Sequence, residues 1–312
     1  MKKVKTVFID GSAGTTGLLI YERLRVREDI RLITLTEEKR KDRESRREAL
    51  NSCDIAFLCL PDAAAIEAVG LVENKNVTVI DASSAHRTDE SFAYGFPELG
   101  EEFSRGIKTK NRVCVPGCHA SGFLALVHPL LREGVIAKDA LLCCNSVTGY
   151  SGGGRAMIAE YESGTLPEGH LSPRVYGLGQ SHKHLPEMQK VAGLTTPVVF
   201  TPVVANFYSG LLVTVPIHKK MLNGCSADDI KEIYSARYSG RIVSYDKTLG
   251  SSGFIPANAC AGLDCMRVGV CGNGDRIVLT ALYDNLGKGA SGAAVQCMNI
   301  LLGKNEEEGL RL

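Results

Sequence analysis

Val4-Lys-Thr-Val-Phe-Ile-Asp10 runs directly into Gly11-Ser-Ala-Gly-Thr-Thr-Gly17, and this junction decides the fold. The first stretch reads as a buried strand. The second is a glycine-rich turn, and a helix-like stretch follows with Leu18, Leu19 and Leu24 on its expected core face. Small residues at a strand-to-helix turn let backbone amides approach a pyrophosphate, which then lies at the positive end of the helix dipole. Thr15 and Thr16 are candidate caps for that helix. The glycines alone would also serve close helix–strand packing. The surrounding pattern points to dinucleotide binding.

That pattern continues outward from the turn. Ile30–Leu35 reads as a second strand. Asp54–Leu60 is an apolar third strand stopped by Pro61, Asp62 opens an Ala-rich helix, and Val77–Asp81 is a fourth strand. Strands alternating with helices predict βαβ units and a parallel sheet. The charged stretch Glu37–Glu48 reads as a solvated helix or loop. Cofactor choice is set near the end of the second strand, where Thr36 is followed by Glu37, Glu38, Lys39, Arg40 and Lys41. The three cations suit a 2′-phosphate, so the reading favours NADP.

After about residue 116 the pattern changes. Gly122–Arg132 looks helical. Leu141–Thr148, Val198–Ala205, Gly210–Ile217 and Val268–Tyr283 are β-rich, as in a mixed or antiparallel sheet packed on helices. Ser291–Leu302 forms a last helix-like run. The expected architecture is α/β. A Rossmann-type doubly wound parallel sheet spans residues 1–116 and is completed by the C-terminal helix, 284–312. An α+β catalytic and oligomerisation domain spans 117–283, with the reaction in the cleft between the two.

Composition narrows the function classes. The 312 residues are 44% hydrophobic and 23% charged, which excludes a disordered chain. Lys plus Arg is 36 and Asp plus Glu is 35, a net charge of +1, so the chain lacks the basic balance of a nucleic-acid or anionic-membrane binder. No apolar run of about 18 residues predicts a transmembrane helix, and the N-terminus carries no apolar signal segment, so the expected address is the cytoplasm. Thiols stay reduced there. The 11 cysteines lack C-x-x-C and zinc-site spacing. Most of them, including Cys59, Cys143 and Cys144, read as small buried packing residues.

Cys118 differs from the rest. It lies in Val115-Pro-Gly-Cys-His-Ala-Ser-Gly122, where Pro116 and Gly117 turn the chain just ahead of an apolar helix-like segment. A cysteine at a helix N-terminus has its thiolate stabilised by the dipole. A nucleophilic thiol also needs a proton-transfer partner. Of the seven histidines, His182 and His184 lie together in a polar turn, Gly179-Gln-Ser-His-Lys-His-Leu-Pro-Glu187. The His-x-His spacing could bind metal, but no third ligand of matching pattern is near, and none is expected. His119 adjoins Cys118, yet neighbouring residues seldom point the same way. His86, His128, His170 and His218 read as surface or hydrogen-bonded structural residues.

Several motifs in order carry a family resemblance: Gly11–Gly17, Asp81-Ala-Ser-Ser-Ala-His-Arg87, Tyr94-Gly-Phe-Pro-Glu98, Pro116-Gly-Cys118, Ser151-Gly-Gly-Gly-Arg155, His182–Glu187, Phe200-Thr-Pro202 and Asp284-Asn-Leu-Gly-Lys-Gly-Ala-Ser-Gly292. Across most of its length the chain resembles the short-form N-acetyl-γ-glutamyl-phosphate reductases of arginine biosynthesis, relatives of aspartate-semialdehyde dehydrogenase. The resemblance implies that Cys118 attacks an acyl phosphate and releases phosphate. The thioester so formed accepts hydride from NADPH, and a histidine general acid/base, His182 or His184, handles the proton of the thiohemiacetal.

It further implies cofactor contacts at Gly11, Ser12, Ala13, Gly14, Thr15, Thr16, Gly17, Thr36, Ser83 and Asn285. Arg87 is the first choice for the substrate phosphate, because guanidinium forks match its oxygens. Arg155 is a second anion contact. No metal is implied, and the partners are a small acyl-phosphate substrate and further copies of the chain, as a dimer or tetramer. Two positions depart from the family, which usually carries Asn before Pro-Gly-Cys and Tyr after it. Here they are Val115 and His119. Rival readings are a related reductase for aspartyl phosphate or an aminoadipyl-type substrate, and a non-catalytic NADP-binding sensor.

Overall fold

The computed structural model describes residues 4–312. In chain order the first elements are β1 (Lys5–Asp10), α1 (Thr15–Leu24), β2 (Ile30–Ile33), α2 (Arg43–Ser52), β3 (Ile55–Leu58), α3 (Asp62–Leu71), β4 (Thr78–Asp81), β5 (Ala93–Tyr94), α4 (Glu101–Thr109) and β6 (Arg112–Cys114). After them come α5 (Cys118–Arg132), β7 (Cys143–Gly149), α6 (Gly154–Tyr161), β8 (Arg174–Val175), α7 (Leu185–Ala192), β9 (Val199–Ala205), β10 (Leu211–His218), α8 (Ala227–Arg237), β11 (Val243–Tyr245), β12 (Met266–Gly272), β13 (Arg276–Tyr283) and α9 (Gly292–Leu301).

The chain divides into two compact units. The first holds the chain as far as Pro116 together with Ala290–Leu310, and the second holds Gly117–Gly289 with Arg311–Leu312. The return to the first unit thus falls after Gly289, later than the expected Asp284. Side-chain bonds explain the difference. The Asp284 carboxylate accepts from Ser209 Oγ and the Gly262 N–H, and Asn285 Oδ1 accepts from the Gly210 N–H, all within the second unit.

Among the described residues the first unit carries one parallel sheet of order β2-β1-β3-β4-β6-β5. Strand order reverses between β1 and β3, and the crevice at the carboxyl ends of such strands is where open α/β sheets take ligands. The glycine turn sits there. Gly11 has φ +87°, and a Cβ on it would stand 2.3 Å from the Cys59 carbonyl oxygen. A Cβ on Gly17 would stand 2.4 Å from the Gly11 carbonyl oxygen. Both positions are therefore closed to any other residue. Gly14 caps α1, and neither threonine makes a side-chain cap bond, because Thr15 is already helical. The core face of α1 is Ile20 and Leu24, both fully buried, while Leu18 is half exposed. Burying each such side chain contributes about 1.5–3 kcal/mol. Ala293, Val295, Met298 and Ile300 of α9 join the same core as Val7, Ile9, Ile55, Phe57 and Ile80.

The charged stretch is not wholly solvated. Arg46 on α2 is buried and pairs with buried Asp10 at the end of β1, Nη2 to Oδ2 at 3.0 Å. Burial pushes the Asp10 carboxyl up despite the pull of that guanidinium.

The second unit carries a mixed sheet of order β11-β12-β13-β10-β7-β9-β8 among the described residues. The β-rich stretch 268–283 resolves into two antiparallel strands, β12 and β13. Strand alternation corrects one cysteine. Cys144 on β7 is buried, but Cys143 points to the other face and is exposed. No helix among the described residues is long and apolar enough to cross a membrane.

Candidate active site

Val115-Pro116 ends the first unit, and helix α5 begins at Cys118 with Gly117, in extended backbone, as its cap. Ser121 bonds back to the Gly117 carbonyl through both its N–H and its hydroxyl. The Gly117 N–H, an orphan donor at this helix end, donates to Glu187 Oε1 at 2.8 Å. Glu187 lies on α7 and is 1% exposed. Tyr283, at the end of β13, donates its hydroxyl to the Cys118 carbonyl and accepts the Gly122 N–H at 2.9 Å. The Cys118 side chain is half-buried. Gly289 packs closely on it, since a Cβ there would stand 3.0 Å from Cys118 Cβ.

Three histidines converge beside this thiol. His184, buried, ends the polar turn and caps α7. His182 accepts the His184 N–H on Nδ1 at 3.2 Å, and their ring centroids are 4.7 Å apart. The third is His119. The expectation that it turns away from Cys118 fails, because its ring centroid lies 5.7 Å from that of His182 and 5.5 Å from that of His184. The two side chains leave the first turn of α5 at different angles, but the longer His119 reaches round to the same histidine turn. One ligand atom each from Cys118, His119 and His184 lies within 4.8 Å of the other two. The triple takes only His184 from the His-x-His pair and its other two members from the start of α5, a combination that the sequence reading did not weigh.

Hydroxyls hold the His119 ring on both sides. Nδ1 meets Ser146 Oγ of β7 at 2.8 Å, and Nε2 meets the Tyr176 hydroxyl at 2.8 Å. Burial, helped by the charges of His182 and Lys183, pushes the His119 pKa down to about 3. The ring is therefore neutral near neutral pH. Burial first, and the nearby Cys118 sulfur second, push the Tyr176 phenol well up, so it stays protonated. Phe200 closes the cluster, with its ring 5.3 Å from His119 and 5.2 Å from His182.

Other expected site residues are distributed as follows. Ser83 donates its N–H and hydroxyl to the two oxygens of Asp81. Thr36 is exposed just beyond β2, and Lys39–Lys41 form an exposed single turn after it. Arg87 is buried, with Nε on the Val115 carbonyl at 2.9 Å and Nη2 on the Ala82 carbonyl at 3.1 Å. Arg155 is exposed near the start of α6. Asn285 is 1% exposed, and its Nδ2 donates to Ser151 Oγ at 3.0 Å. Sequence reading missed Glu187, Tyr176, Ser146 and Tyr283. Glu187 and Tyr176 flank the histidine turn in sequence, but Ser146 reaches His119 and Tyr283 reaches Cys118 only through the sheet.

The family profile "Semialdehyde dehydrogenase, NAD binding domain" matches residues 31–106, and "Semialdehyde dehydrogenase, dimerisation domain" matches residues 118–285. An N-acetyl-gamma-glutamyl-phosphate reductase of Burkholderia orbicola is 44% identical over 304 residues, covering 96% of this chain and 97% of that protein. One from Trichormus variabilis is 44% identical, covering 99% and 100%. The fold is similar to that of an aspartate semialdehyde dehydrogenase II of Vibrio cholerae, with a TM-score of 0.71, 19% identity and coverage of 96% and 99%. A Candida albicans aspartate semialdehyde dehydrogenase solved with NADP gives a TM-score of 0.68 at 14% identity, covering 97% and 100%. With a glycine turn that fits a nicotinamide dinucleotide and near full-length identity above 40%, the chain belongs to the N-acetyl-gamma-glutamyl-phosphate reductase family of semialdehyde dehydrogenases.

Proposed function

We propose that this chain reduces N-acetyl-gamma-glutamyl phosphate to N-acetylglutamate semialdehyde and phosphate, with NADPH, through a thioester on Cys118. The observation that carries the reading is the half-buried Cys118 thiol at the start of α5, with a His184 ring nitrogen within 4.8 Å of it. His184 takes the thiol proton. The sulfur attacks the acyl carbon, the carbon–oxygen bond to phosphate breaks, and that proton leaves with the phosphate. A nicotinamide cofactor held at the Gly11–Gly17 turn would supply the hydride that reduces the acyl carbon. The alkoxide then collapses, the carbon–sulfur bond breaks, the aldehyde leaves, and the thiolate regains a proton through the same ring.

His184 is preferred to His182 as the general acid/base, since a His184 ring nitrogen lies within 4.8 Å of the Cys118 sulfur and His182 uses Nδ1 to brace the His184 backbone. His119, held neutral between two hydroxyls, and Tyr176 line the reacting thiol. Glu187 and Tyr283 fix the turn that presents it. The exposed Arg155 is the substrate-anion contact. Arg87, engaged with the Val115 and Ala82 carbonyls, acts by holding the strand that leads to Cys118. The turn Gly11–Gly17 fits a pyrophosphate, and Lys39, Arg40 and Lys41 favour the 2′-phosphate of NADP. The dimerisation-domain match supports a homo-oligomer.

The test is phosphate-dependent reduction of NADP by purified protein, with N-acetylglutamate semialdehyde compared against aspartate semialdehyde. The reading expects strong preference for the first. Preference for the second would overturn the substrate assignment.

A further inference from the structure

We propose that Cys118, His119 and His184 form a three-ligand site for a zinc-class divalent cation, whose binding captures the thiol and holds the enzyme inactive. The argument starts from geometry. One ligand atom from each residue lies within 4.8 Å of the other two. A tetrahedral zinc with bonds of about 2.0–2.3 Å needs ligand atoms roughly 3.5 Å apart. From separations of at most 4.8 Å, the three side chains need draw in by no more than roughly 1 Å to reach that spacing.

The donor set has the right chemistry. A thiolate and two imidazoles suit zinc and related soft or borderline ions. No carboxylate belongs to the triple, so magnesium and calcium are poorly served. His119 and His184 are 3% and 4% exposed, whereas Cys118 is half-buried. The cation would then be walled by protein on the histidine side and open on another. That leaves a fourth position for water or inorganic phosphate.

An orienting shell is already in place. His119 has a hydroxyl on each ring nitrogen, Ser146 on Nδ1 and Tyr176 on Nε2. On coordination one nitrogen exchanges its hydroxyl for the metal and the other keeps its own, the arrangement that fixes metal-bound imidazoles. The His184 backbone is braced by His182 Nδ1 and by the Met188 N–H on its carbonyl. A sulfur lone pair bound to the metal is withdrawn from attack on an acyl carbon. The inhibitory consequence rests on Cys118 being the nucleophile, whereas the binding itself does not.

The experiment therefore reads binding and turnover separately. Metal-free, reduced protein is titrated with Co²⁺ while its near-ultraviolet thiolate-to-cobalt absorption is followed. The band should saturate at one ion per chain, be displaced by Zn²⁺ and vanish in Cys118→Ser. Binding should weaken at least about tenfold in both His119→Asn and His119→Phe. Their thermal unfolding is measured alongside to show that they fold. In the unaltered protein the ion should also protect Cys118 from iodoacetamide, mapped by mass spectrometry. Absence of the band, its persistence in Cys118→Ser, or unchanged affinity in both His119 variants would overturn the site. Zn²⁺ should suppress turnover over the range in which it displaces cobalt, with recovery on chelation. Full turnover at saturating Zn²⁺ would overturn the inhibitory role. A protein that binds cobalt but never turns over would overturn the reductase reading and leave the metal site standing.

Discussion

The Tyr283 hydroxyl sits inside the first turn of α5, donating to the Cys118 carbonyl and accepting the Gly122 N–H at 2.9 Å. Those two backbone groups are an i, i+4 pair of the helix itself, so the hydroxyl braces the first turn at both of its ends. A Cβ at Gly122 would stand 2.6 Å from this hydroxyl, so the glycine makes room for it. The end of β13 is thereby keyed to the residue that carries the thiol. Tyr283→Phe should cost about 1–3 kcal/mol, the range for a buried group that loses its partner. The check is urea unfolding, where the midpoint should fall at unchanged m-value. An unchanged midpoint would mean that the hydroxyl adds nothing to the stability of this turn.

The two histidines of the polar turn should separate kinetically. His184→Gln should lower kcat by about 10²–10⁴-fold, the usual worth of a general acid/base. His182→Gln should cost markedly less, because that ring braces a backbone N–H. Equal losses in the two variants would return the proton-transfer role to either residue.

Cofactor choice should follow the exposed turn after β2. Replacing Lys39, Arg40 and Lys41 together by Ala should weaken NADP binding by at least about tenfold through lost phosphate contacts, and leave NAD binding nearly unchanged. Fluorescence titration with both cofactors reads this directly. Parallel losses for the two would place the 2′-phosphate elsewhere.

Acid stability has an identifiable contributor at the start of β3. Burial works against the Asp54 carboxylate, but Lys5 Nζ at 2.8 Å and the Thr6 N–H and hydroxyl at 2.8 and 2.7 Å outweigh it and bring the pKa down from 3.8 to about 2. A carboxyl that is more acidic in the folded chain stabilises it above the unfolded value, and that stability drains away as pH falls from 3.8 towards 2. Asp54→Asn should be less stable than the unaltered protein at pH 7, and the gap should narrow across that window. A constant gap would assign the acid loss to other carboxylates.

Several features were legible because residue type alone encodes them. Gly11 and Gly17 announce a turn that no side chain fits, and Pro116-Gly117 ahead of an apolar run announces a helix starting at Cys118. The parallel sheet followed from strands alternating with helices. What escaped depends on direction and on distant partners. His119 was set aside on adjacency, although side-chain length brings its ring back to His182 and His184. Arg46 read as one cation in a solvated run, and only its pairing with Asp10 across α2 and β1 buries it. Cys143 and Cys144 look alike in sequence, but the two-residue period of β7 puts one outside and one in. The Tyr283 contact joins residues 165 positions apart and leaves no local mark.

The covalent step is the centre of the account, and it has a direct measurement. Protein is mixed with N-acetylglutamate semialdehyde and NADP in the absence of phosphate, so that the reverse reaction stops at the acyl-enzyme. The account predicts a burst of one NADPH per active chain and an N-acetylglutamyl adduct on the Cys118 peptide by mass spectrometry, both absent in Cys118→Ser. No burst, or an adduct on another of the 11 cysteines, would contradict it.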